Sequence, residues 1–371
     1  MPKQQLSLAP EALLYSGPLT WEQIPRVVDA AMAHGAPEVR LKLLISEQPL
    51  TKIVPDSMDT TKCRMSVIQR GTSSVSARLH GRYGRGGTRV IDGRFTAIRH
   101  PSQPAVWAIL TDASSEFLRR PFRELLRHIH PRPTAPILRT PQLESLLALL
   151  QAQSTLSEMR ISQVGYRARI TSRGASKSVE RDRRWTDLSL SEAFSEALEG
   201  GQWITDVSAS YELHGGKRAY ARLSRYAVFT FERHSSTAFL AYMERAVAMA
   251  TEWYQFLKNR HRTRERLFHS RPFSINFNSP ALGSGDQVVL LAKALRSIPK
   301  VSCTVLHSNP YLHAVMVDYR DGSTYEILVL SDSGLTVIPQ GRATVRSLQR
   351  LCSHVFAGFR EGSLEEVAYA I

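Results

Sequence analysis

The sequence has 371 residues, 43% of them hydrophobic, so it is long enough for two or three domains with ordinary cores. Its 48 Lys and Arg residues outnumber its 33 Asp and Glu residues, which gives a net charge of +15. The three cysteines are far apart and odd in number, which argues against a disulfide framework and against a paired-cysteine metal site.

The positive charge comes mostly from Arg, whose guanidinium can bind phosphate through two hydrogen bonds and stack on bases. Two interpretations stay open: a functional polyanion surface, or the codon bias of a GC-rich genome. Either way, the surface field attracts polyanions and weakens with salt. Residues 1–11 lack the apolar core of a signal peptide, and no apolar stretch approaches about 18 residues. We therefore expect a cytoplasmic protein without a membrane partner.

The N-terminal region, residues 1–133, is predicted to form an α+β domain. Thr20 and Gln23 make a capping box, which predicts a helix that starts there and ends near His34. Val39–Ser46 has the apolar composition of a buried strand. Further along, Pro121 should break or kink a helix that starts near residue 114.

A glycine-rich basic segment, residues 80–87, lies between two predicted strands. Its arginines, Arg82 and Arg85, and its backbone amides could contact phosphate groups, which makes it a candidate nucleic-acid-binding loop. A plain hairpin connection needs the same glycines and is the alternative. Shortly after it, Asp92-Gly93 predicts a two-residue turn between short strands.

Prolines at positions 131, 133, 136 and 141 mark a boundary before a central domain, residues 140–271. Its most informative feature is a hairpin whose predicted two-residue loop is Gly-Gly at 215–216. This loop length places Tyr211 opposite Tyr220. Because side chains alternate along a strand, one sheet face then carries aromatic and cationic residues: Tyr211, Arg218, Tyr220 and Arg222.

An open sheet face on which Tyr is interleaved with Arg resembles the stacking platforms of single-stranded nucleic-acid binders. The Tyr rings would stack on bases while the guanidinium groups neutralise phosphates. The alternative is a solvated face whose cross-strand pairs only support the sheet. A register shift of one residue would move every one of these side chains to the other face.

A long amphipathic helix is predicted from residue 235 to Leu257, because apolar residues recur at helical spacing. After Leu257 the apolar stripe stops and cations dominate. Four arginines make this extension a candidate anchor for a polyanion: Arg260, Arg262, Arg264 and Arg266.

The predicted C-terminal domain contains acidic and histidine residues that are candidates for catalytic chemistry. The predicted Asp321-Gly322 turn puts Asp318 and Glu326 on opposite sheet faces, where one metal ion could not bridge them. His307, His313 and Asp318 could form an acid–base cluster of a hydrolase, but no nucleophile turn or Walker-type loop accompanies them. No catalytic residue, metal or cofactor is predicted.

These patterns together predict an α+β protein of two or three units, possibly internally repeated, each an antiparallel β-sheet packed against a long helix. The predicted domains are 1–133, 140–271 and 272–371. We expect a non-enzymatic protein that binds nucleic acid, DNA or RNA, through Arg-rich surfaces and the Tyr/Arg sheet face. The alternative is an adaptor or assembly subunit that binds an acidic protein partner. The nucleic-acid interpretation requires cations gathered on particular surfaces. Arginines that are scattered, or paired with neighbouring carboxylates, would favour the adaptor interpretation.

Overall fold

The computed structural model describes residues 18–84, 87–152, 156–172, 175–189, 191–192, 194–195, 203–213, 217–233, 236–262, 271–277, 280–308 and 311–367. Helices and two antiparallel sheets make up this part of the chain, so the fold class is α+β. The described helices are α1 (Ile24–Ala33), α2 (Leu50–Ile53), α3 (Ser115–Arg119), α4 (Pro121–His128), α5 (Thr140–Gln151), α6 (Ser236–Lys258), α7 (Gly285–Arg296) and α8 (Val345–Gly358). None of them is long and apolar enough to cross a membrane.

The larger sheet has eleven strands among the described residues: β1 (Val39–Ile45), β2 (Ser57–Asp59), β3 (Cys63–Arg70), β4 (Ser74–Tyr83), β5 (Arg89–Arg99), β6 (Val106–Thr111), β7 (Leu156–Ser172), β8 (Ala175–Leu188), β9 (Trp203–Leu213), β10 (Lys217–Ser224) and β11 (Val228–Arg233). Their order is β2-β3-β4-β5-β6-β1-β11-β10-β9-β7-β8. The smaller sheet has six: β12 (Phe273–Asn276), β13 (Val301–His307), β14 (Leu312–Asp318), β15 (Ser323–Val329), β16 (Gly334–Pro339) and β17 (Ser363–Glu366). Its order is β13-β14-β15-β16-β12-β17.

The chain divides into two compact units. Unit 1 comprises residues 1–164, 184–194 and 205–251, and unit 2 comprises 165–183, 195–204 and 252–371. Each unit is described by itself below.

The larger sheet corrects the predicted arrangement of separate helix-on-sheet units. Strand β1, from the first predicted domain, pairs with β11, from the second, between Val39↔Phe231 and Lys42↔Val228. On its other side β1 pairs with β6. Six of the seven β1 residues are buried, as expected for an inner strand that is covered on both faces. The pairing of β1 with β6 and with β11 joins the two regions into one sheet.

Both faces of the sheet carry helices in unit 1. On one face, the ring of Tyr242 in α6 lies edge-on to Phe229 and Phe231 of β11, with centroid distances of 5.2 and 6.2 Å. On the other face, α3 and α4 cover strands β3 to β6, and their Phe117 and Phe122 belong to the buried core there. α4 begins at Pro121, the position where the sequence predicted a break.

The turn predicted at Asp92-Gly93 is wrong, because β5 runs through both residues. The connection between β4 and β5 lies between Tyr83 and Arg89 instead, where Gly84 and Gly87 have φ angles of 88° and 72°. Gly93 serves close packing: a Cβ there would lie 2.7 Å from the Cβ of Ala113 and 2.7 Å from the ring of Phe117. This glycine therefore marks the close approach of α3 to the strand rather than a turn.

In unit 2, α7 and α8 pack against each other and on one face of the smaller sheet. The residues of β14 alternate between buried and partly exposed, so Leu312, Ala314 and Met316 face the core. The strand pairs with β15 such that Asp318 lies opposite Ser323 and Glu326 opposite Val315. The predicted turn would have placed Asp318 opposite Tyr325, so the observed pairing differs from the prediction by two residues. A shift of two residues keeps every side chain on its predicted face, and the two carboxylates lie on opposite faces as predicted.

Candidate nucleic-acid interface

The predicted Tyr/Arg sheet face is present on β10 in part. Tyr220 and Arg222 are exposed, whereas Ala221 and Leu223 between and beside them are buried. Across the hairpin Tyr220 lies opposite Ser210 and Arg222 opposite Ser208. Among the side chains that the structure describes at these paired positions, one exposed aromatic ring and one guanidinium lie beside two serines.

Tyr211 does not take its predicted place opposite Tyr220. Strand β9 pairs with β10 so that Tyr211 lies opposite Ala219 and Arg218 opposite Glu212. The described strands end at Leu213 and resume at Lys217, so three residues rather than two separate them. One residue of extra loop shifts the register by one, and this moves Tyr211 out of line with Tyr220.

Arg222 is paired with a carboxylate. Its Nε and Nη2 donate to Oδ1 of Asp206 at 2.9 and 2.5 Å. The side chain of Asp206 is only 17% exposed, whereas that of Arg222 is 48% exposed. This ion pair neutralises the cation that was expected to meet a phosphate.

Arg260, predicted to lie on an exposed basic extension, is instead buried at 2% exposure in unit 2. Its guanidinium carbon lies 3.5 Å from the ring centroid of Phe256 and 5.6 Å from that of Phe273. Nη1 donates to the carbonyl of Phe256 at 2.7 Å, and Nη2 donates to Glu366 at 3.2 Å. Burial lowers the pKa of Arg260, and Glu366 opposes this shift. The residue is a packing element and lies out of reach of a polyanion.

The prediction of an exposed basic extension is also wrong for Arg262. It is 8% exposed, and its Nη1 donates to the carbonyl of Pro339 at 2.9 Å. Its backbone forms an isolated antiparallel bridge with Ala343. α6 ends at Lys258, and the chain then turns into the unit instead of extending the helix into solvent. Arg264 and Arg266 lie outside the described residues, and so does Arg85 of the glycine-rich segment.

Arg82 is exposed near the end of β4. Because side chains alternate along a strand, Arg82 lies on the sheet face opposite that of Tyr83 and of α3–α4. The sequence patterns did not group a second set of arginines, which we call the basic cluster. Its members are all exposed and lie in β5 or in the α3–α4 segment: Arg89, Arg119, Arg120, Arg123 and Arg127.

Contacts around Tyr83 connect the strand and helix parts of the basic cluster. Tyr83 lies directly opposite Arg89 on β5. The guanidinium of Arg120 stands over the Tyr83 ring, 5.5 Å from its centroid. Arg89 in turn forms an ion pair with Glu116 in α3. Burial raises the pKa of Tyr83 to about 12, so its hydroxyl stays neutral and adds no negative charge to the surface.

The α4 part of the basic cluster follows helical geometry. Arg123 and Arg127 are four residues apart and share one side of α4, and Arg120 immediately precedes the helix. Arg127 is paired with Glu124 at 2.8 Å. In the described part of the chain, Glu116 and Glu124 are the carboxylates that form ion pairs with the five arginines. The cluster therefore keeps a surplus of cations after these pairs are counted.

The residues of the hydrolase alternative do not come together. His313 Nε2 lies 2.8 Å from Glu326 Oε1, and the other oxygen of Glu326 accepts a hydrogen bond from Gln340 at 3.0 Å. Asp318 is fully buried on the opposite face, where it binds Ser347 at 2.7 Å and pairs with Arg350. The geometry therefore separates the carboxylate from the histidines.

The sequence matches no protein-family model, and no curated protein sequence matches it. The chemistry of the described residues is therefore the basis for assigning a function.

Proposed function

We propose that the protein binds nucleic acid, chiefly through the sugar–phosphate backbone, and that the basic cluster of unit 1 is the contact surface. The observation that carries this proposal is the surplus of exposed guanidinium groups on neighbouring elements. Arg119, Arg120 and Arg123 have no acidic ion-pair partner among the described residues. Their charges are therefore available to neutralise phosphates, unlike those of Arg222 and Arg260.

The size of the cluster suits a polyanion rather than a single anion. Arg120 lies immediately before α4 and Arg127 lies near its end, seven residue steps later, so the row extends over about 10 Å. Duplex DNA carries one negative charge per about 1.7 Å of its axis, so a row of that length faces about six phosphate charges. Guanidinium groups spread over such a row can bind several phosphates at once, each through paired hydrogen bonds.

Tyr220 supplies a second, smaller contribution to the proposal. Its ring is 41% exposed on the open face of β10 and can stack on an unpaired base. Arg222 beside it is held by Asp206, so base stacking rather than charge is the expected role of this face. A contribution from Arg218 stays a prediction.

The decisive experiment measures how binding depends on salt. The triple variant Arg119→Gln, Arg120→Gln and Arg123→Gln removes the three cations of the basic cluster without acidic partners. Each lost phosphate contact lowers the slope of log K against log salt by about 0.9 on duplex DNA, so the slope should fall by about 2.7. On single strands the expected fall is about 2.1.

A control variant separates the cluster from the overall charge. Arg26→Gln, Lys52→Gln and Arg245→Gln together remove the same charge from other exposed positions of unit 1. The control should leave the slope nearly unchanged. Equal slopes in both triple variants would exclude the basic cluster as the contact surface. Failure of the wild-type chain to bind DNA or RNA at physiological salt, together with a stable complex with an acidic protein, would establish the adaptor function instead.

A further inference from the structure

The open edge of the smaller sheet has the properties of a self-association site. β13 is the first strand in the sheet order, and within the described chain it pairs only with β14. Its residues are partly or fully exposed, and Leu306 near its end is 58% exposed. Backbone groups on this side of the strand have no strand partner in the described residues.

The hydrogen bonds to β14 show which backbone groups point outward. Val301 lies opposite Asp318, and the N–H of Tyr319 donates to the carbonyl of Lys300 at 3.0 Å. In an antiparallel ladder, such a bond flanks a pair that does not exchange hydrogen bonds directly. The N–H and C=O groups of Val301, Cys303 and Val305 therefore point away from β14.

The run Val301–Leu306 of β13 lacks the residue types that usually block an edge. Edge strands are commonly blocked by Lys, Pro or an inward-pointing charge, yet the run Val301–Leu306 contains no proline and no charged residue. The ladder is irregular between Val305 and His307, where the register with β14 shifts. A regular, uncharged segment of five residues, from Val301 to Val305, is therefore available for pairing.

We propose that this segment pairs antiparallel with the same segment of a second copy of the chain, about a two-fold axis that passes between the two Cys303 residues. Val301 then lies opposite the second copy's Val305, and Ser302 lies opposite its Thr304. Facing β-branched residues and facing hydroxyls are favourable cross-strand pairs. The outward groups of Val301, Cys303 and Val305 form three pairs, each exchanging two hydrogen bonds, about six in all.

A second copy fits this edge because the segment is complementary to itself. The pairing of one patch with its own copy closes after two chains, which is the commonest form of symmetric assembly. This proposal concerns unit 2 and does not depend on nucleic-acid binding.

Sedimentation of the full chain over a range of concentrations tests the proposal. Wild type should show a concentration-dependent monomer–dimer equilibrium, because a contact of five residues from each chain buries little surface and is expected to be weak. The variant Ser302→Lys/Thr304→Lys places like charges opposite each other across the axis and should be monomeric. The control Thr324→Lys/Thr336→Lys changes charge equally on the same face, but on the inner strands β15 and β16, and should still dimerise.

Cross-linking fixes the register independently. A short bis-maleimide should join two wild-type chains through Cys303, because the other two cysteines are buried. Cys303→Ser should abolish the cross-linked dimer, and the folded state of this variant is checked by circular dichroism. A monomeric wild-type chain at every concentration, a dimer that survives Ser302→Lys/Thr304→Lys, or a cross-link that persists in Cys303→Ser would each overturn the proposal.

Discussion

Replacement of Arg260 by Ala separates a packing role from a phosphate-binding role. The wild-type side chain is 2% exposed and stacks on Phe256, so its removal leaves a cavity and an unpaired carbonyl. Truncation of a large buried side chain costs about 2–5 kcal/mol, and a desolvated cation–π contact is worth about 2 kcal/mol. The variant also no longer has to bury a charge, and the desolvation cost that it avoids offsets several kcal/mol of this loss of stability.

The partner carboxylate decides the balance. Glu366 is 76% exposed on its side chain, so it regains water in the variant and leaves no buried unpaired charge. We therefore expect a net loss of about 2–3 kcal/mol in the free energy of unfolding, from the lost packing. Urea unfolding monitored by tryptophan fluorescence measures this loss. Glu366→Gln is the matched control: it keeps an oxygen that can accept the hydrogen bond from Arg260, so it should cost less than Arg260→Ala.

Nucleic-acid binding by the same variant completes the test. Because Arg260 is buried, Arg260→Ala should bind with the wild-type salt slope under conditions in which it stays folded. Unchanged stability with a slope lowered by about 0.9 would refute the reasoning, since it would mean that the guanidinium lies in solvent and contacts a phosphate.

Three further predictions follow from buried groups. Asp318→Ala should lower the free energy of unfolding by about 3–5 kcal/mol because it leaves Arg350 without its ion-pair partner, and Asp318→Leu/Arg350→Met should recover part of this in urea unfolding. Burial lowers the pKa of Lys42 from 10.5 to about 8. The folded state therefore binds fewer protons than the unfolded state in that window, and stability should rise between pH 8 and 10.5 in wild type but not in Lys42→Met. In dilute native protein, a thiol reagent should label Cys303 first, because it is partly exposed whereas the other two cysteines are buried. Burial raises the pKa of all three thiols, that of Cys63 to about 11 and that of Cys352 to about 12, and Arg296 opposes the shift at Cys303. Mass spectrometry of the labelled peptides measures the order.

Local patterns predicted the parts of the fold that depend on neighbouring residues. The capping pair is present, with the backbone N–H of Thr20 donating to Gln23 at 2.8 Å. The helix break at Pro121 and the alternation of β14 are also found. Periodicity and capping act over one or two turns of chain, so the sequence contains all the information that they require.

Register and turn position could not be predicted, because they depend on tertiary contacts. One additional loop residue moved Tyr211 from opposite Tyr220 to opposite Ala219. Gly93 has the composition of a turn, yet its role is to accept Phe117 from a helix more than twenty residues away. A glycine selected for close packing and a glycine selected for a turn are the same letter in the sequence.

The candidate interface was only partly predictable for a related reason. Arg123 and Arg127 have an i, i+4 spacing that the sequence displays. The connection of this helix segment to Arg89 and Tyr83 depends on the strand pairing of β4 with β5. Arg260 has Phe256 four residues before it in the sequence, but the second ring, Phe273, and the carboxylate of Glu366 come from β12 and β17, so its burial depends on tertiary contacts.

The two proposals together predict that the salt dependence of binding changes with the length of the nucleic acid. A dimer carries two basic clusters, and a nucleic acid long enough to reach both converts the second binding step into an intramolecular one. Since each cluster adds its own released counterions, the salt slope on a long duplex should approach twice the slope on a duplex that reaches only one cluster. The Ser302→Lys/Thr304→Lys variant should show the single-cluster slope on both lengths. Equal wild-type slopes on both lengths, measured under conditions where sedimentation shows a dimer, would mean that one nucleic acid does not engage both clusters.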